Sequence, residues 1–367
     1  MNILFEYGKQ SLYFSEPLDV IHGQTFDQVK GCFEKIEQHL SRGCYVAGCF
    51  SYELGYALEK KLSYVETDEF PLIHAGVYKK ANRLKKTPGA DDGVIRINNL
   101  RFNIPKEQYV ESIDMIRSYV SAGDVYQITY CLKLLFDFEG GAYSLYKKLY
   151  RVQPVPYAAF LKTPSHFIIS LSPELFLYKK DNFIVSKPMK GTWPRGGDPL
   201  RDFIARQQFI HDETNRAENI MITDLLRNDL GRIGRNVRVL RLCEVTPYKT
   251  LFQMTSTIAA DLDRDISLYR LFKSLFPSGS VTGAPKIRAM EIIHELEHEP
   301  RRIYTGAIGY ITPKKDLFFN IPIRTALIDR TTAQGEMGIG GGIVWDSTAE
   351  GEWAEGVLKA KFFTDIV

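Results

Sequence analysis

The sequence has no uninterrupted apolar run approaching the ~18 residues that a membrane-spanning helix requires, so a role in the bilayer is not expected. Cysteine is scarce. The five cysteines (Cys32, Cys44, Cys49, Cys131, Cys243) are odd in number, lie in apolar surroundings and lack CxxC spacing. They read as reduced core thiols and not as a disulfide frame or a zinc site. An excess of one charge is also missing: 47 Lys and Arg stand against 44 Asp and Glu, a net charge of +3. The basic clusters Arg83/Lys85/Lys86, Lys179/Lys180 and Arg301/Arg302 are short and far apart, and are expected to be solvated surface charge, which argues against a nucleic-acid partner. The opening residues, MNILFEYGKQSLYF, show no basic segment leading into an apolar one, so no secretory signal is expected and a cytoplasmic location is.

What is present is the balance of a globular protein, with 44% hydrophobic and 25% charged residues. A prior of ~150 residues per domain would allow two domains in 367 residues. The pattern favours one large intertwined domain, with residues 1–100 as an N-terminal subdomain and 101–367 as the catalytic region. Gly43–Tyr52 and Leu72–Tyr78 read as buried strands and Thr25–Leu40 as a helix. Lys79–Asn98, polar with Pro-Gly, reads as a flexible connection. Tyr109, Ile113, Ile116 and Val120 fall on one helical face. In Val125–Phe136 strict alternation from Tyr126 to Phe136 predicts a long strand with one buried face. Closely spaced strand-like runs from Tyr157 to Ser186 predict antiparallel hairpins. Helix is expected over Leu200–Leu230, from Pro285 to Glu297 with Pro in the first turn, and over Ser347–Phe363. Strands are expected over Val237–Val245, Gly306–Thr312, Leu317–Ile328 and Glu336–Trp345. The sum is an α+β fold with a largely antiparallel sheet system flanked by helices.

Several common motifs fail. Gly279-Ser-Val-Thr-Gly-Ala-Pro-Lys286 lacks the Gly-Lys-Ser/Thr core of a phosphate loop, and Gly338-Ile-Gly-Gly-Gly342 does not open a helix as a dinucleotide fingerprint would. His294 and His298 have no third ligand nearby in sequence and read as surface histidines. Other features are unusual. The Ser278–Lys286 turn runs into a helix N-terminus, a setting that favours an anion. Arg324, inside the apolar run FFNIPIRTALI, should be paired, either with a structural carboxylate or with a carboxylate of a substrate. Glu352 and Glu355 share a helical face, and Glu218 sits beside Ile220 and Met221. Separated carboxylates of this kind suit either a solvated helix face or Mg²⁺, which takes one or two together with substrate oxygens.

Ordered motifs then become visible: Ser172-Pro-Glu-Leu175, Lys187-Pro-Met-Lys-Gly-Thr192, the run from Ala217 to Gly231, Gly279–Lys286, Gly306–Tyr310, Ile323-Arg-Thr325 and Gly340-Gly-Gly-Ile-Val344, followed by Glu352 and Glu355. With Gly48-Cys-Phe-Ser-Tyr-Glu-Leu-Gly55 near the start, they resemble the chorismate-utilising enzymes: anthranilate synthase component I, aminodeoxychorismate synthase component I, and isochorismate or salicylate synthases. The resemblance implies the anthranilate synthase component I fold, a largely antiparallel β-sandwich wrapped by helices with the site between the sheets. It also implies Mg²⁺ held by Glu218 and Glu355 with Glu352 in support. Thr282, Gly283, Tyr304, Arg324, Gly341 and Lys359 would hold the substrate, chorismate.

Within the family, anthranilate synthases carry P-I-A-G-T where aminodeoxychorismate synthases carry P-I-K-G-T; here the segment reads Pro188-Met-Lys-Gly-Thr192. The resemblance therefore implies Lys190 as nucleophile at ring C2, Glu174 as the acid that protonates the departing C4 hydroxyl, and amination at C4. Gln127 falls where isochorismate-forming members carry a water-activating lysine, and an amide cannot be that base. Gln253 stands where the family usually has His; it can donate and accept a hydrogen bond but carries no proton. No glutaminase-like nucleophile is present, so the resemblance implies a separate glutamine amidotransferase subunit that supplies ammonia. Two other readings remain at this point: anthranilate synthase component I, and a non-catalytic chorismate- or tryptophan-binding paralogue.

Overall fold

The long strand expected before residue 136 shows how the sequence builds the molecule. It runs Gln127–Glu139, and Ile128, Tyr130, Leu132, Leu134, Phe136 and Phe138 all enter one apolar cluster with residues of the helices Lys106–Ala122, Ala142–Val152, Lys286–Leu296 and Ala349–Thr364. The opposite face is buried too, but it is polar: Gln127, Thr129 and Lys133 are all nearly inaccessible. Tyr126, expected to open the buried face, precedes the strand and is 70% exposed. One face thus serves the core under the helices, and the other is left for chemistry.

The structure, a computed structural model, describes residues 1–7, 10–65, 68–84, 94–248 and 251–364. Much of the expected connection at Lys79–Asn98 lies outside the described residues. Among the described residues two ten-stranded sheets account for the strands. In the first, Gln127–Glu139 pairs with Gln334–Ile343, followed by Thr325–Asp329, His166–Ser172, Tyr157–Lys162 and Asn2–Tyr7. In the second, Met189–Pro194 and Phe183–Lys187 flank Leu251–Leu262, and the sheet continues through Leu175–Lys180, Leu317–Asn320, Ala307–Ile311, Tyr45–Phe50 and Ile73–Tyr78. Every one of these pairings is antiparallel.

Ile3, Phe5, Ala159, Leu161, Ile168 and Leu327 of the first sheet meet Ala47, Cys49, Tyr78 and Ile308 of the second in a shared core. Beyond the second sheet, the helices Phe26–Ser41, Glu213–Gly231 and Leu268–Leu275 cover Ile258, Ala260 and Leu262. The architecture is a sandwich of two sheets with helices on both outer faces.

Four expectations at element level are corrected. The helix over Leu200–Leu230 is two, Pro199–His211 and Glu213–Gly231, because the Asp212 carboxylate accepts from the Asn215 N–H at 2.8 Å and starts a new helix. The strand over Leu317–Ile328 is also two, Leu317–Asn320 and Thr325–Asp329, and they belong to different sheets. Pro322 interrupts it, and Arg324 sits in the break at φ 51°. Pro285 caps the helix Lys286–Leu296 and does not lie within its first turn. Finally, Arg301 and Lys179, expected to be solvated, are 2% and 6% exposed.

Candidate active site

Lys190 lies on the strand Met189–Pro194, and its placement begins with its neighbours. Gly191 follows at φ +91°, a conformation that side chains disfavour, and a Cβ there would meet the Asn215 amide oxygen at 2.6 Å. The Lys190 carbonyl accepts from the buried Asn219 amide at 3.4 Å, and the same amide donates to the Met254 carbonyl at 3.2 Å. The Ser256 hydroxyl donates to the Asn219 side-chain amide oxygen. Asn219 therefore ties the helix Glu213–Gly231 to both strands, and Glu218, one residue earlier, is the largest favourable charge acting on the Lys190 ammonium. Burial outweighs it, with Lys359 adding repulsion, and the Lys190 pKa is held below its ordinary value.

On the facing sheet, Gly340, Gly341 and Gly342 pair with Cys131, Tyr130 and Thr129. A Cβ on Gly342 would lie 2.0 Å from the Gln127 Nε2 and 2.8 Å from the Lys190 Nζ. The missing side chain is what lets the amine and the amide converge from opposite sheets. Gln127 is fully buried, and neither its amide nitrogen nor its amide oxygen has a hydrogen-bond partner. Such a group is costly to leave unpaired in a folded protein, and it faces the amine of Lys190. Gln253 is buried with its amide oxygen unpaired, and it shares a sheet face with Thr246, its direct cross-strand partner.

Glu174 is 3% exposed. It accepts from the Ser280 hydroxyl at 2.6 Å and from the Met189 N–H at 3.4 Å. Burial pushes its carboxyl up to about 7, and the Ser280 bond, the Met189 bond and the Lys190 charge only partly counter this. A carboxylic acid and an amine whose pKa values are drawn toward one another suit proton transfer near neutrality. A cavity of about 280 Å³ is lined by Pro173 and Met189, the chain neighbours of Glu174 and Lys190, with Tyr248 and Thr255 among others, and neither Glu174 nor Lys190 is part of its wall.

Arg324 forms no ion pair among the described residues, so the expectation of a structural carboxylate partner is overturned. Burial lowers its pKa, and only Tyr248 opposes that. A desolvated guanidinium without a counter-charge is a receptor for an anion. Tyr304, 6% exposed, has its ring against Gly338 and its hydroxyl 3.0 Å from where a Gly340 Cβ would be.

Thr282 is fully buried, and its hydroxyl donates to the Ser278 carbonyl at 3.0 Å. Gly283 lies so close to Gln127 that a Cβ would be 2.2 Å from its carbonyl oxygen. The Lys286 ammonium is engaged by Asp229 at 2.6 Å.

The three remaining carboxylates come from two helices. Glu352 accepts from the Ser347 hydroxyl at 2.7 Å and lies 2.8 Å from where a Gly341 Cβ would be. Lys359 pairs with Glu355 at 2.7 Å and donates to the Gly340 carbonyl at 2.8 Å. Burial raises Glu218 and Glu352, and Glu355 raises both further, so like charges face one another here. Among the described residues no group of three His, Cys, Asp or Glu is close enough to hold an ion alone. Hard oxygen donors without a preformed cage fit Mg²⁺, which completes its shell with substrate oxygens and water.

The spacing His294-Glu-Leu-Glu-His298 has the H-E-x-x-H form of zinc peptidases, but the helix ends at Leu296. His298 bonds Gln108, Glu295 accepts from the Tyr119 hydroxyl, and Glu297 pairs with Arg301. Residues of the site that were not singled out from sequence are Ser280, Asn219 and Tyr248. Only their position inside the motif segments or beside them marked them.

The site thus sets a half-buried arginine with no ion-pair partner among the described residues beside mutually repelling carboxylates and a half-buried lysine, a set of groups that suits a small anionic ligand. The chain belongs to the chorismate binding enzyme family, whose sequence profile matches residues 6–365. It is 34% identical over 336 residues to aminodeoxychorismate synthase component 1 of Klebsiella aerogenes, covering 84% of this chain and 74% of that one. It is 38% identical over 257 residues to the protein of that name from Bacillus subtilis (strain 168), covering 70% of this chain and 54% of that one. The matched region thus spans between about half and three quarters of these relatives. The fold is that of anthranilate synthase component I from Streptococcus pneumoniae TIGR4, with a TM-score of 0.82, 23% identity, and 98% of this chain and 92% of that chain covered.

Proposed function

We propose that this chain is the chorismate-aminating component of an aminodeoxychorismate synthase, converting chorismate and ammonia to 4-amino-4-deoxychorismate for para-aminobenzoate and folate synthesis. The observation that carries the reading is the convergence of the Lys190 amine with the Gln127 amide over Gly342, on the same strand segment that hydrogen-bonds Glu174. Chorismate is a dianion. Arg324, Tyr304 and Lys359 bind and orient its carboxylates, and the backbone at Thr282, Gly283 and Gly341 shapes the wall. The unprotonated Lys190 amine forms a bond to C2 as the C4–O bond breaks, and Glu174 delivers its proton so that water leaves. Ammonia then bonds to C4 and Lys190 departs as the amine. Gln127, and Gln253 across the site, offer hydrogen bonds without taking a proton. Glu218 and Glu355, with Glu352 in support, would hold Mg²⁺, which when bound draws ring charge toward the substrate carboxylate.

The component 1 designation of the relatives supports a partner subunit, and we assign it as a glutamine amidotransferase that supplies ammonia in the cytoplasm. The test is mass analysis of the product formed from chorismate, Mg²⁺ and an ammonium salt. A product that retains the enolpyruvyl group supports the reading; anthranilate as the main product would sink it. Binding without turnover would point to a non-catalytic paralogue. Without ammonia, a covalent adduct on Lys190 should accumulate.

A further inference from the structure

Arg301 is the largest fully buried side chain among the described residues, it touches no proposed catalytic group, and its surroundings account for a motif that the chemistry leaves unexplained. Its guanidinium donates to the Glu297 carboxylate through Nε at 2.8 Å and Nη2 at 2.6 Å. The remaining donors reach the Val281 carbonyl at 2.8 Å, the Thr305 hydroxyl at 3.2 Å and the Thr129 carbonyl at 2.5 Å. The ring of Tyr52, from the Ser51-Tyr-Glu-Leu-Gly55 segment, lies against it, with 4.4 Å from Cζ to the ring centroid.

These acceptors are not a random set. Val281 precedes Thr282 and Gly283. Thr129 lies two residues beyond Gln127, and its N–H donates to the Thr282 carbonyl at 2.7 Å. Thr305 follows Tyr304 and donates to the Tyr304 carbonyl at 2.6 Å, while the Tyr304 N–H donates to the Arg301 carbonyl at 3.0 Å. Glu297, the counter-charge, also accepts from the Cys131 N–H at 2.9 Å. One planar cation thus fixes three separate pieces of backbone that carry Thr282, Gly283, Gln127 and Tyr304. Only a guanidinium offers five donors in a fixed fork.

We propose that Arg301, held by Glu297 and the Tyr52 ring, is a positioning residue for chorismate: it sets the spacing of the wall formed by Gln127, Thr282, Gly283 and Tyr304. This rests on the proposed function for the identity of the ligand. The Ser51-Tyr-Glu-Leu-Gly55 segment gains a role by the same geometry. Tyr52 supplies the face for Arg301, the Tyr52 N–H donates to the Arg302 carbonyl at 2.8 Å, and Glu53 accepts from the Arg302 N–H at 3.2 Å.

The test is Arg301→Lys, which keeps the charge opposite Glu297 and loses the fork, read beside Tyr52→Leu and Tyr52→Phe. Chorismate binding is measured by calorimetry in the presence of Mg²⁺, with KM and kcat from ammonium-dependent turnover. Arg301→Lys should weaken binding and raise KM about tenfold or more, the scale of lost charge-assisted hydrogen bonds, while kcat changes far less. Tyr52→Leu should shift KM in the same direction, and Tyr52→Phe, which keeps the ring, should leave it unchanged. A merely structural residue would lower the melting temperature and the active fraction while leaving KM alone, and that result overturns the inference. If Arg301→Lys does not fold, the contrast between the two Tyr52 variants decides. Wild-type protein that binds no chorismate overturns the functional reading and this inference together; equal binding by wild type and the variants overturns the inference alone.

Discussion

In the proposed mechanism Glu174 couples catalysis to stability. Burial holds its carboxyl near about 7 from an ordinary 4.5. The folded chain therefore keeps a proton that the unfolded chain releases between those values. This group favours the fold below pH 4.5, and that contribution is lost as pH rises through about 7. Glu174→Gln is neutral throughout, so its melting temperature should gain on wild type between about pH 5 and about pH 8 while turnover collapses. In wild type, kcat should fall on the alkaline side as Glu174 loses its proton, with an opposing acid limb from Lys190. A stability difference that does not change with pH would contradict the assignment. Gly342 tests the same neighbourhood sterically. Gly342→Ala places a methyl on the Gln127 amide and the Lys190 amine, and kcat/KM should drop by about a hundredfold or more, the usual result of moving reacting groups by an ångström, with little change in denaturation midpoint.

At the scale of elements, the junction at Asp212 is a separable test. Its carboxylate caps the helix that carries Glu218 and Asn219. Asp212→Ala should cost about 1 kcal/mol in urea unfolding and, if the proposed Mg²⁺ site is correct, weaken the response of activity to Mg²⁺ more than ammonium affinity. Elements also show what was legible from the chain. Periodicity located Phe26–Ser41, Lys106–Ala122 and the hairpins after Tyr157, because one apolar face each determines them. It could not divide Leu317–Ile328, since a run buried in two different sheets looks the same as one buried in a single sheet; only Pro322 marked the crossing. Nor could it distinguish Arg301 from a surface pair. What buries Arg301 is Glu297 four residues earlier, together with carbonyls far away in sequence. The family motifs singled out Lys190, Glu174 and Arg324 as candidates, whereas the partners that tune them, Ser280, Asn219 and Gly342, took meaning only from the fold.

At the scale of the whole molecule, the site exists because two sheets present polar inner faces at one end of a core that is apolar elsewhere. The unpaired amide of Gln127, the unpaired amide oxygen of Gln253, the facing carboxylates and the Arg324 guanidinium, without an ion-pair partner among the described residues, are all unfavourable until something fills the space. Ligand should therefore stabilise strongly. Chorismate and Mg²⁺ together should raise the melting temperature by more than the sum of their separate effects, as linked binding requires, and chelation of the ion should abolish the surplus. Simple additivity would argue that ion and substrate occupy independent sites.

The unpaired state of Arg324 has a practical side. A half-buried cation with no counter-charge among the described residues takes whatever small anion the solvent offers, so the choice of buffer becomes a variable of the assay. Citrate, sulfate and phosphate should protect the protein on the shelf and yet compete with chorismate, and apparent KM values measured in them should rise with buffer concentration in a way that chloride does not reproduce. A preparation that looks healthiest in storage would then be the one that reports the weakest enzyme.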